Sequence, residues 1–341
     1  MIQRLILPWG RPFVLATLWV MFVSLTGCAG LTPQGTALQT AWPQGLADQR
    51  ELSLAEVPFL PQERNHCGSA ALITVLEAAR RHALSAEARQ AIDAAVFVPA
   101  RAGSFQVEML AAARQAGALA LRLPPEMGAV LRSVADGRPV LVLLNLGLAM
   151  EPRWHYAVVV GYDRLTREVI LRSGLEPQQR MGWVTFEHTW ARSQHWAFRV
   201  APPGDLPPDV SEDEATAATL AFARLRSAVD VLPAWSALAQ RWPESLIAAI
   251  GLGNAHLAAG DAARAAEVFE RTAQRHDSVA AWNNLAEARR VLGDTVAARQ
   301  AALKALARAQ AKSVGPEQVA AVQATLDEIA QDEARRSTLS R

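Results

Sequence analysis

The sequence predicts an α+β domain, with helices packed on an antiparallel sheet, followed by an all-α array of helical repeats. Three observations predict this fold class. Short apolar strands and helical patterns are interspersed in the N-terminal half, alanine-rich helical periodicity fills the C-terminal third, and a sequence repeat occurs within that third. A chain of 341 residues is long enough for both parts.

The composition excludes several classes of protein. The 34 Lys and Arg residues and 33 Asp and Glu residues give a net charge of +1, so the chain as a whole has no electrostatic footprint for nucleic acid. Hydrophobic residues at 51% and charged residues at 20% are typical of a globular chain rather than a disordered one. The chain has 2 cysteines, too few for a disulfide framework, so each cysteine needs its own explanation.

Residues 1–27 predict a secretory signal peptide. Arg4 and Arg11 precede an apolar run from Pro12 to Gly27. This run ends in small residues and is too short to span a bilayer comfortably. Its end, Leu25-Thr26-Gly27-Cys28, resembles the lipobox of bacterial lipoproteins. The resemblance implies that the sulfur of Cys28 is lipidated, and Ala29 in place of Asp implies an outer-membrane anchor facing the periplasm. The alternative is an ordinary signal peptide with an incidental cysteine.

Residues 28–51 predict a flexible tether, because Gly, Thr, Gln and Pro occur there without helical or strand periodicity. The α+β domain is predicted over 52–201 and opens with a short strand over 56–61. A helix follows, with Asn65 as its cap and Cys67 in its first turn. A thiol there lies at the positive end of the helix dipole, which favours the nucleophilic thiolate.

Two further helices are predicted before the main strands. One covers 86–95 after Ser85, and the other opens at 103 and runs to about 116 with Ser104 as its cap. Because the N-terminus of the second helix is expected to face the groove, Ser104 and Gln106 are candidate substrate contacts. The alternative for Ser104 is a simple helix cap.

Three strands are predicted next, over 138–145, 155–162 and 169–172. Asn145 ends the first of them and is a candidate substrate contact. If the turn between the other two is centred near residue 164, Ser173 lies opposite His155. Asp163 lies at the other end of this hairpin, where it is poorly placed to orient the imidazole.

A single cysteine at a helix start, or a single histidine on a strand, is most often a packing residue. The histidine and tryptophan residues near the end of the domain predict either a specificity pocket or a packed aromatic lid; they are His188, His195, Trp183, Trp190 and Trp196. The histidines and acids show no spacing typical of metal ligands, so neither a metal nor another cofactor is predicted.

The order of Gln62, then Cys67-Gly68 opening a helix, then His155-Tyr156 opening a strand resembles the papain-like cysteine peptidases of the bacteriocin-processing type. Proteins of that family remove a double-glycine leader from exported peptides. The resemblance covers about 52–200 and implies that Cys67 is the nucleophile and His155 the general base. It also implies that Gln62 and the Cys67 backbone N–H hold the oxyanion.

One departure from the family bears on activity. The family places Asp or Asn where this chain has Ser173, which accepts a hydrogen bond from His155 but carries no charge. Activity is therefore expected to be weaker than with Asp, or absent. Three hypotheses follow: a lipid-anchored cysteine peptidase, a peptidase-like adaptor lipoprotein that binds peptides or proteins, and, as a minor variant, an acyl transferase that uses the same residues.

The C-terminal part predicts a Pro-rich linker over 202–210, helical repeats over 211–312 and a polar capping helix within 313–341. Gly253 and Ala286 are 33 positions apart, as are Gly260 and Gly293. This period, and the Trp282-x-x-Leu285-Ala286 opening, resemble tetratricopeptide repeats. The layout as a whole resembles the lipoprotein branch of the peptidase family, which implies a peptide or protein partner for the repeats.

Overall fold

The structure is a computed structural model that describes residues 33–44, 46, 49–61 and 65–339. The chain forms two compact units. The first contains the described residues up to Cys67 together with 123–197, and the second contains 68–122 together with 198–339. Cys67 and His155 both belong to the first unit.

The helices and strands follow one another along the chain in this order: α1 (Pro33–Ala37), β1 (Glu51–Ser53), α2 (Cys67–Arg80), α3 (Ala86–Val96), β2 (Phe97–Val98), β3 (Gly103–Ser104), α4 (Gln106–Gln115), β4 (Leu119–Arg122), α5 (Met127–Ala135), β5 (Val140–Asn145), β6 (Trp154–Asp163), β7 (Glu168–Ser173), β8 (Glu176–Gly182), α6 (Trp183–Ala191), β9 (Ala197–Ala201), α7 (Glu212–Ala223), α8 (Ala228–Arg241), α9 (Leu246–Ala258), α10 (Ala262–His276), α11 (Val279–Val291), α12 (Thr295–Ala311) and α13 (Pro316–Leu339). A 3₁₀ turn over Pro99–Arg101 separates β2 from β3. None of the described helices is long and apolar enough to cross a bilayer.

The first unit is built on an antiparallel sheet in the order β5-β6-β7-β8, with β1 paired to the far end of β6. All six residues of β5 are buried, as its continuous apolar run predicts. Helix α5 packs on β6, and α6 packs against β5, β7 and β8. The predicted combination of helices and an antiparallel sheet is therefore confirmed.

The segment predicted as a flexible tether contains an ordered, docked part. The carboxylate of Glu187, whose residue is 1% exposed, accepts hydrogen bonds from the backbone N–H groups of Gln34 at 3.1 Å and Gly35 at 2.5 Å. The Gln34 side chain accepts from the N–H of Met127 at 2.7 Å, which caps the start of α5. Hydrogen bonds between a side chain and the backbone leave no periodic pattern in the sequence. The prediction of a tether therefore rested on composition alone.

The first strand lies at 51–53 and not at 56–61, where the sequence predicted it. Arg172 explains the difference, because its buried guanidinium donates to the carbonyl of Val57 at 2.9 Å and to that of Ala55 at 3.4 Å. Those carbonyls are thereby satisfied without a ladder. Pro58 and Pro61 also have no N–H to give to a neighbouring strand.

In the second unit, the first helices of the array share one hydrophobic core with two strands. Leu119 and Leu121 of β4, with Ala201 of β9, pack in one cluster with Phe222 of α7 and Trp235 of α8. Strands β4 and β9 pair antiparallel. The first helices of the array thus pack directly on strands β4 and β9.

The segment predicted as a linker, 202–210, is packed in the second unit. Val210 is a member of the same core cluster, and Arg241 donates to the carbonyls of Pro207, at 2.6 Å, and of Pro208. Arg199 pairs with Asp209 at 2.7 Å. These partners are distant in sequence and could not be predicted from the proline content of the segment.

The repeats consist of the helix pairs α7–α8, α9–α10 and α11–α12, followed by α13. Asp261 caps α10 and Asp294 caps α12, each accepting from the backbone N–H three residues later. Gly260 and Gly293, directly before these caps, have φ of 85° and 83°, a conformation that favours glycine. The sequence repeat therefore corresponds to a structural repeat.

Candidate active site

His155 and Ser173 meet in the first unit. The Nε2 atom of His155, on β6, lies 2.9 Å from the Oγ atom of Ser173 at the end of β7. Strand β6 begins at Trp154, so His155 stands at the start of the strand, where the ladder to β7 has not yet begun. The structure thus brings together two of the four predicted catalytic residues.

The strand register differs from the predicted one by two positions. The ladder pairs Val158 with Arg172, so its continuation sets Ser173 across from Ala157 instead of His155. The difference arises at the turn, which is centred between Leu165 and Thr166 because Asp163 pairs with Glu168. A bulge between Val159 and Gly161 then moves the register one position back toward the predicted one. Residues 155 and 157 share one face of the strand, so the imidazole still reaches Ser173 diagonally.

The surroundings of His155 favour its neutral form. The side chain is half-buried, and burial lowers the pKa of His155 below its ordinary value because the imidazolium loses hydration. Ser173 has no charge with which to offset that loss. When Nε2 donates to Ser173, Nδ1 is the ring nitrogen that accepts a proton.

Asp163 lies at the far end of β6, as predicted. Although burial opposes its ionisation, hydrogen bonds from the backbone of Thr166 and Leu165 and the charge of Arg180 hold the pKa of Asp163 below its ordinary value. Its Oδ1 atom accepts from the Leu165 N–H at 2.8 Å, and its Oδ2 atom lies 3.4 Å from Arg180. Asp163 therefore stabilises the turn and does not orient His155.

Cys67 is the first residue of α2, is half-buried and forms no disulfide with any described residue. Asn65, two residues earlier, has a φ of 73°, a left-handed conformation that asparagine tolerates better than most residues. The chain thus turns sharply into α2 at Asn65. Gln62, the predicted oxyanion donor, and Cys28, the predicted lipidation site, lie outside the described residues.

Ser104 has a structural position that differs from the predicted cap. It lies in β3, paired with Phe97, while α4 starts at Gln106 and is preceded by Phe105, which makes no side-chain cap bond. A Cβ atom added to Gly68 would lie 2.4 Å from Ser104 Oγ and 2.7 Å from its Cβ. Ser104 therefore packs directly on the backbone of α2, one residue after Cys67. Gln106 is half-buried in the first turn of α4.

Substituting Gly68 with Ala is expected to displace the start of α2 and to lower the alkylation rate of the Cys67 thiol about tenfold. Contacts below 3.0 Å with a side chain held in a short strand force a backbone shift. The measurement is the rate of iodoacetamide labelling at pH 7, followed by mass spectrometry. Ser104→Gly removes the clashing atoms, so Gly68→Ala/Ser104→Gly should regain most of the rate; a double variant as slow as Gly68→Ala contradicts this packing.

Asn145 holds the loop between β5 and β6. Its buried side-chain Oδ1 accepts from the backbone N–H of Gly147 at 3.0 Å and from that of Arg153 at 2.9 Å. Both acceptor positions of this oxygen are thereby used within the protein. The predicted role of Asn145 as a substrate contact is replaced by a role in shaping the loop that leads to His155.

Arg192 is a residue that the sequence did not single out. Its guanidinium donates to the Asn145 carbonyl at 3.1 Å and to the Gly147 carbonyl, and lies 2.7 Å from Nε2 of His188. A guanidinium only donates, so the Nε2 atom of His188 is the acceptor in this contact. None of these three contacts has a sequence signal, because the partners are four or more than forty residues apart and follow no motif.

Exposed apolar side chains lie on the loop before β6 and on the segments next to His155 and Ser173. Met150 is 94% exposed and Leu148 is 64% exposed, both in the loop that Asn145 holds. Trp154 directly precedes His155, and Leu175 lies two residues after Ser173; both are also exposed. These exposed apolar residues all lie on the segments that lead to His155 or follow Ser173.

Of the two alternatives for the histidines and tryptophans near the end of the domain, packed aromatic rings describe the tryptophans, because Trp183, Trp190 and Trp196 are buried. His188 and His195 are half-buried. Trp190 and Trp196 are buried, and the Trp190 Nε1 donates to the Trp196 carbonyl at 3.0 Å. The His195 ring contacts Trp190 edge to face at 4.7 Å. Within the described part of the chain, no group of three or more His, Cys, Asp or Glu side chains is arranged to hold a metal ion.

Comparison with known proteins gives two findings. The tetratricopeptide repeat family matches residues 232–278 and 251–314. A solved structure provisionally described as a C39-like peptidase from Bacillus anthracis is 16% identical, over 45% of this chain and 98% of its own, with a TM-score of 0.37. No curated protein matches the chain. The helical array after the α+β part thus carries tetratricopeptide repeats, as its period predicted.

Proposed function

We propose that this protein is a cysteine peptidase in which the thiolate of Cys67 attacks a peptide carbonyl and His155 transfers the protons. The observation that carries the proposal is the 2.9 Å contact between His155 and Ser173, which fixes the imidazole in the same unit as a half-buried thiol at a helix N-terminus. A cysteine, an oriented histidine and a helix N-terminus are together the requirements for an activated thiol.

The reaction proceeds in two steps. The sulfur of Cys67 forms a bond to the carbonyl carbon, the C–N bond breaks, and His155 gives a proton to the leaving amine. Water then attacks the thioester while His155 takes its proton, which releases the acid and restores the thiol. In this proposal, Gln62 and the Cys67 backbone N–H stabilise the oxyanion.

The pH dependence of Cys67 alkylation tests the proposal. A polypeptide that starts at Ala29 has Cys67 as its one remaining cysteine. We expect its reaction with iodoacetamide to follow an apparent pKa clearly below the ordinary thiol value of about 8.5, because the helix N-terminus and His155 both favour the thiolate. In His155→Gln, the apparent pKa should return toward about 8.5.

His82→Gln is the matched control, because His82 is an exposed histidine whose Nδ1 atom lies 3.2 Å from the carbonyl of the neighbouring Ala83. It should leave the alkylation profile unchanged. A Cys67 that titrates like a free thiol in the wild-type chain, with no response to His155→Gln, contradicts catalysis by this pair.

A second candidate function is an adaptor that binds peptides without cleaving them. The observation that favours it is the uncharged partner of His155, because Ser173 cannot stabilise an imidazolium as a carboxylate does. An unshifted alkylation profile, combined with retained peptide binding to the wild-type chain, would favour this adaptor. In either function, the repeats supply the surface for a protein partner.

We propose in addition that Cys28 carries a lipid that anchors the chain to the outer membrane, facing the periplasm. The Leu-x-Gly-Cys end of the signal peptide supports this proposal. Cells fed a radiolabelled fatty acid should incorporate label into the wild-type protein and not into Cys28→Ser. Equal label in both proteins would contradict lipidation of this cysteine.

A further inference from the structure

His155 has fewer backbone constraints than the strand residues that follow it. On one side, β6 pairs with β5, where Leu144 lies opposite His155. On the other side, the pairing with β7 begins at Val158, three residues later along β6. The loop over 146–153 joins β6 at Trp154, directly before the histidine. The position of the imidazole therefore depends on β5 and on this loop.

The loop is closed tightly on itself. Its two ends are joined by a hydrogen bond from the Leu146 N–H to the Arg153 carbonyl at 2.9 Å. The Oδ1 atom of Asn145 accepts from the N–H groups of Gly147 and Arg153. A Cβ atom added to Gly147 would lie 2.8 Å from the Arg153 nitrogen and closer still to the Glu151 carbonyl oxygen. The backbone of the loop thus leaves no room for a side chain at Gly147.

Arg192 connects this loop to helix α6. It is half-buried and directly follows the helix, which ends at Ala191. Its guanidinium donates to the carbonyl of Asn145, at 3.1 Å, and to that of Gly147. The same group donates to the Nε2 atom of His188, one turn earlier in α6, at 2.7 Å. Three acceptors therefore meet one planar group whose N–H directions are fixed.

The end of α6 that carries Arg192 is itself held on β5. The buried Ser193 hydroxyl lies 2.7 Å from the Leu143 carbonyl of β5. The N–H of Leu143 donates in turn to the Trp196 carbonyl at 3.2 Å. These bonds fix the backbone on both sides of the guanidinium. Arg192 therefore holds the loop from a fixed point of the first unit.

We infer that Arg192 is a positioning residue for His155, on which it acts through the loop and not by direct contact. Arg192 fixes the carbonyl of Asn145, and the Asn145 side chain fixes the backbone of Arg153, two residues before the histidine. With the loop held in this way, the imidazole keeps its 2.9 Å contact with Ser173. The inference rests on the proposed peptidase, in which His155 transfers the protons.

The shape of the guanidinium, more than its charge, suits Arg192 to this role. Its partners are two backbone carbonyls and one ring nitrogen, which all accept through lone pairs. A lysine ammonium is a compact charge on a flexible stem and does not present the same planar fork of donors. Arg192→Lys is therefore expected to release the loop as Arg192→Gln does, although it keeps the positive charge.

The test is an NMR titration of His155 in the full chain, purified in a non-ionic detergent and labelled with carbon-13 in its histidine rings. The signal of His155 is assigned as the one that His155→Gln removes. Burial lowers the pKa of His155 in the wild type. In Arg192→Gln and Arg192→Lys, we expect this pKa to rise by about half a pH unit or more toward the ordinary value of about 6.5, because water reaches the imidazole when the loop is released.

Two further variants separate this effect from a general loss of structure. Gly147→Ala deforms the loop from within and keeps the Arg192 side chain, so it should also raise the pKa of His155. Arg132→Gln is the matched control, because Arg132 is another half-buried arginine of the first unit and pairs with Glu126 at 3.7 Å. It should leave the titration of His155 at its wild-type position.

A raised pKa of His155 in both Arg192 variants and in Gly147→Ala, but not in Arg132→Gln, supports the inference. An unchanged titration in Arg192→Gln or in Gly147→Ala overturns it, and so does an equal rise in Arg132→Gln. A rise in Arg192→Gln with a wild-type titration in Arg192→Lys overturns it too, because charge would then be the cause. If Arg192→Gln does not fold, Arg192→Lys decides by the same criterion.

This measurement is independent of the thiol. An unshifted alkylation profile of Cys67 would contradict the proposed peptidase, whereas the titration of His155 would still show whether Arg192 holds the histidine in place. A shifted alkylation profile with an unchanged titration in the Arg192 variants would support the peptidase and overturn the role of Arg192. The two failures are therefore distinguishable.

Discussion

Cys67→Ser is expected to abolish peptide hydrolysis, with a loss of at least about 10³-fold. Serine occupies the same place at the start of α2, but its hydroxyl is not ionised near neutral pH and depends on a strong base to be activated. His155 is half-buried with an uncharged partner, so it stabilises developing positive charge weakly. The proposed reaction therefore requires a sulfur nucleophile.

The measurement is the release of new N-termini from a quenched peptide library, resolved by mass spectrometry, for the wild-type chain and Cys67→Ser. Both proteins should have the same thermal unfolding midpoint to within about 2 °C, because one oxygen replaces one sulfur. Cleavage by Cys67→Ser at more than a tenth of the wild-type rate would show that another group performs the reaction.

Gly253→Ala is expected to lower the free energy of unfolding of the repeats by about 2–3 kcal/mol. An added Cβ atom would lie 2.4 Å from Cε1 and 2.6 Å from Cζ of Phe269, whose ring is 0% exposed and has no room to move. Alanine is a better helix former than glycine by about 1 kcal/mol, so the clash must outweigh a favourable change in propensity. The midpoint of the helical signal in urea measures the result.

Two variants serve as controls for this steric effect. Gly128 lies in the first turn of α5, where an added Cβ would approach only the end of the Arg132 side chain at 3.2 Å and Pro43 at 3.7 Å. Gly128→Ala should leave stability unchanged or raise it by up to about 1 kcal/mol. Gly253→Ala/Phe269→Leu should regain part of the loss. Equal effects at Gly253 and Gly128 would mean that packing on Phe269 is not the cause.

Elements with a strong period could be predicted from the sequence. The fully buried strand β5 has a continuous apolar run, and the 33-residue period of Gly260 and Gly293 reflects left-handed positions that glycine occupies most readily. The pair of His155 and Ser173 could also be predicted, because an error of two residues in register keeps both side chains on one face of the sheet.

Features that depend on single long-range contacts could not be predicted. Glu187 binds the backbone of Gln34 and Gly35 across more than 150 positions, and Arg172 binds carbonyls before α2 across more than 110. Hydrogen bonds between such distant residues leave no periodic pattern in the sequence. The same limitation explains why Asn145 was expected to contact substrate, since its partners lie in a loop without a pattern.

The shared core of β4, β9 and α7–α9 also constrains how this architecture can have diversified. Tetratricopeptide arrays commonly change length by gaining or losing whole repeats. Here, loss of the first repeat would expose Leu119 and Leu121 to solvent, whereas Val322 and Ile329 of the last helix belong to core clusters whose described members all lie in helices of the array. Insertion and deletion of repeats are therefore expected to cost less stability at the C-terminal end than at the first repeat, which is inherited together with the sheet.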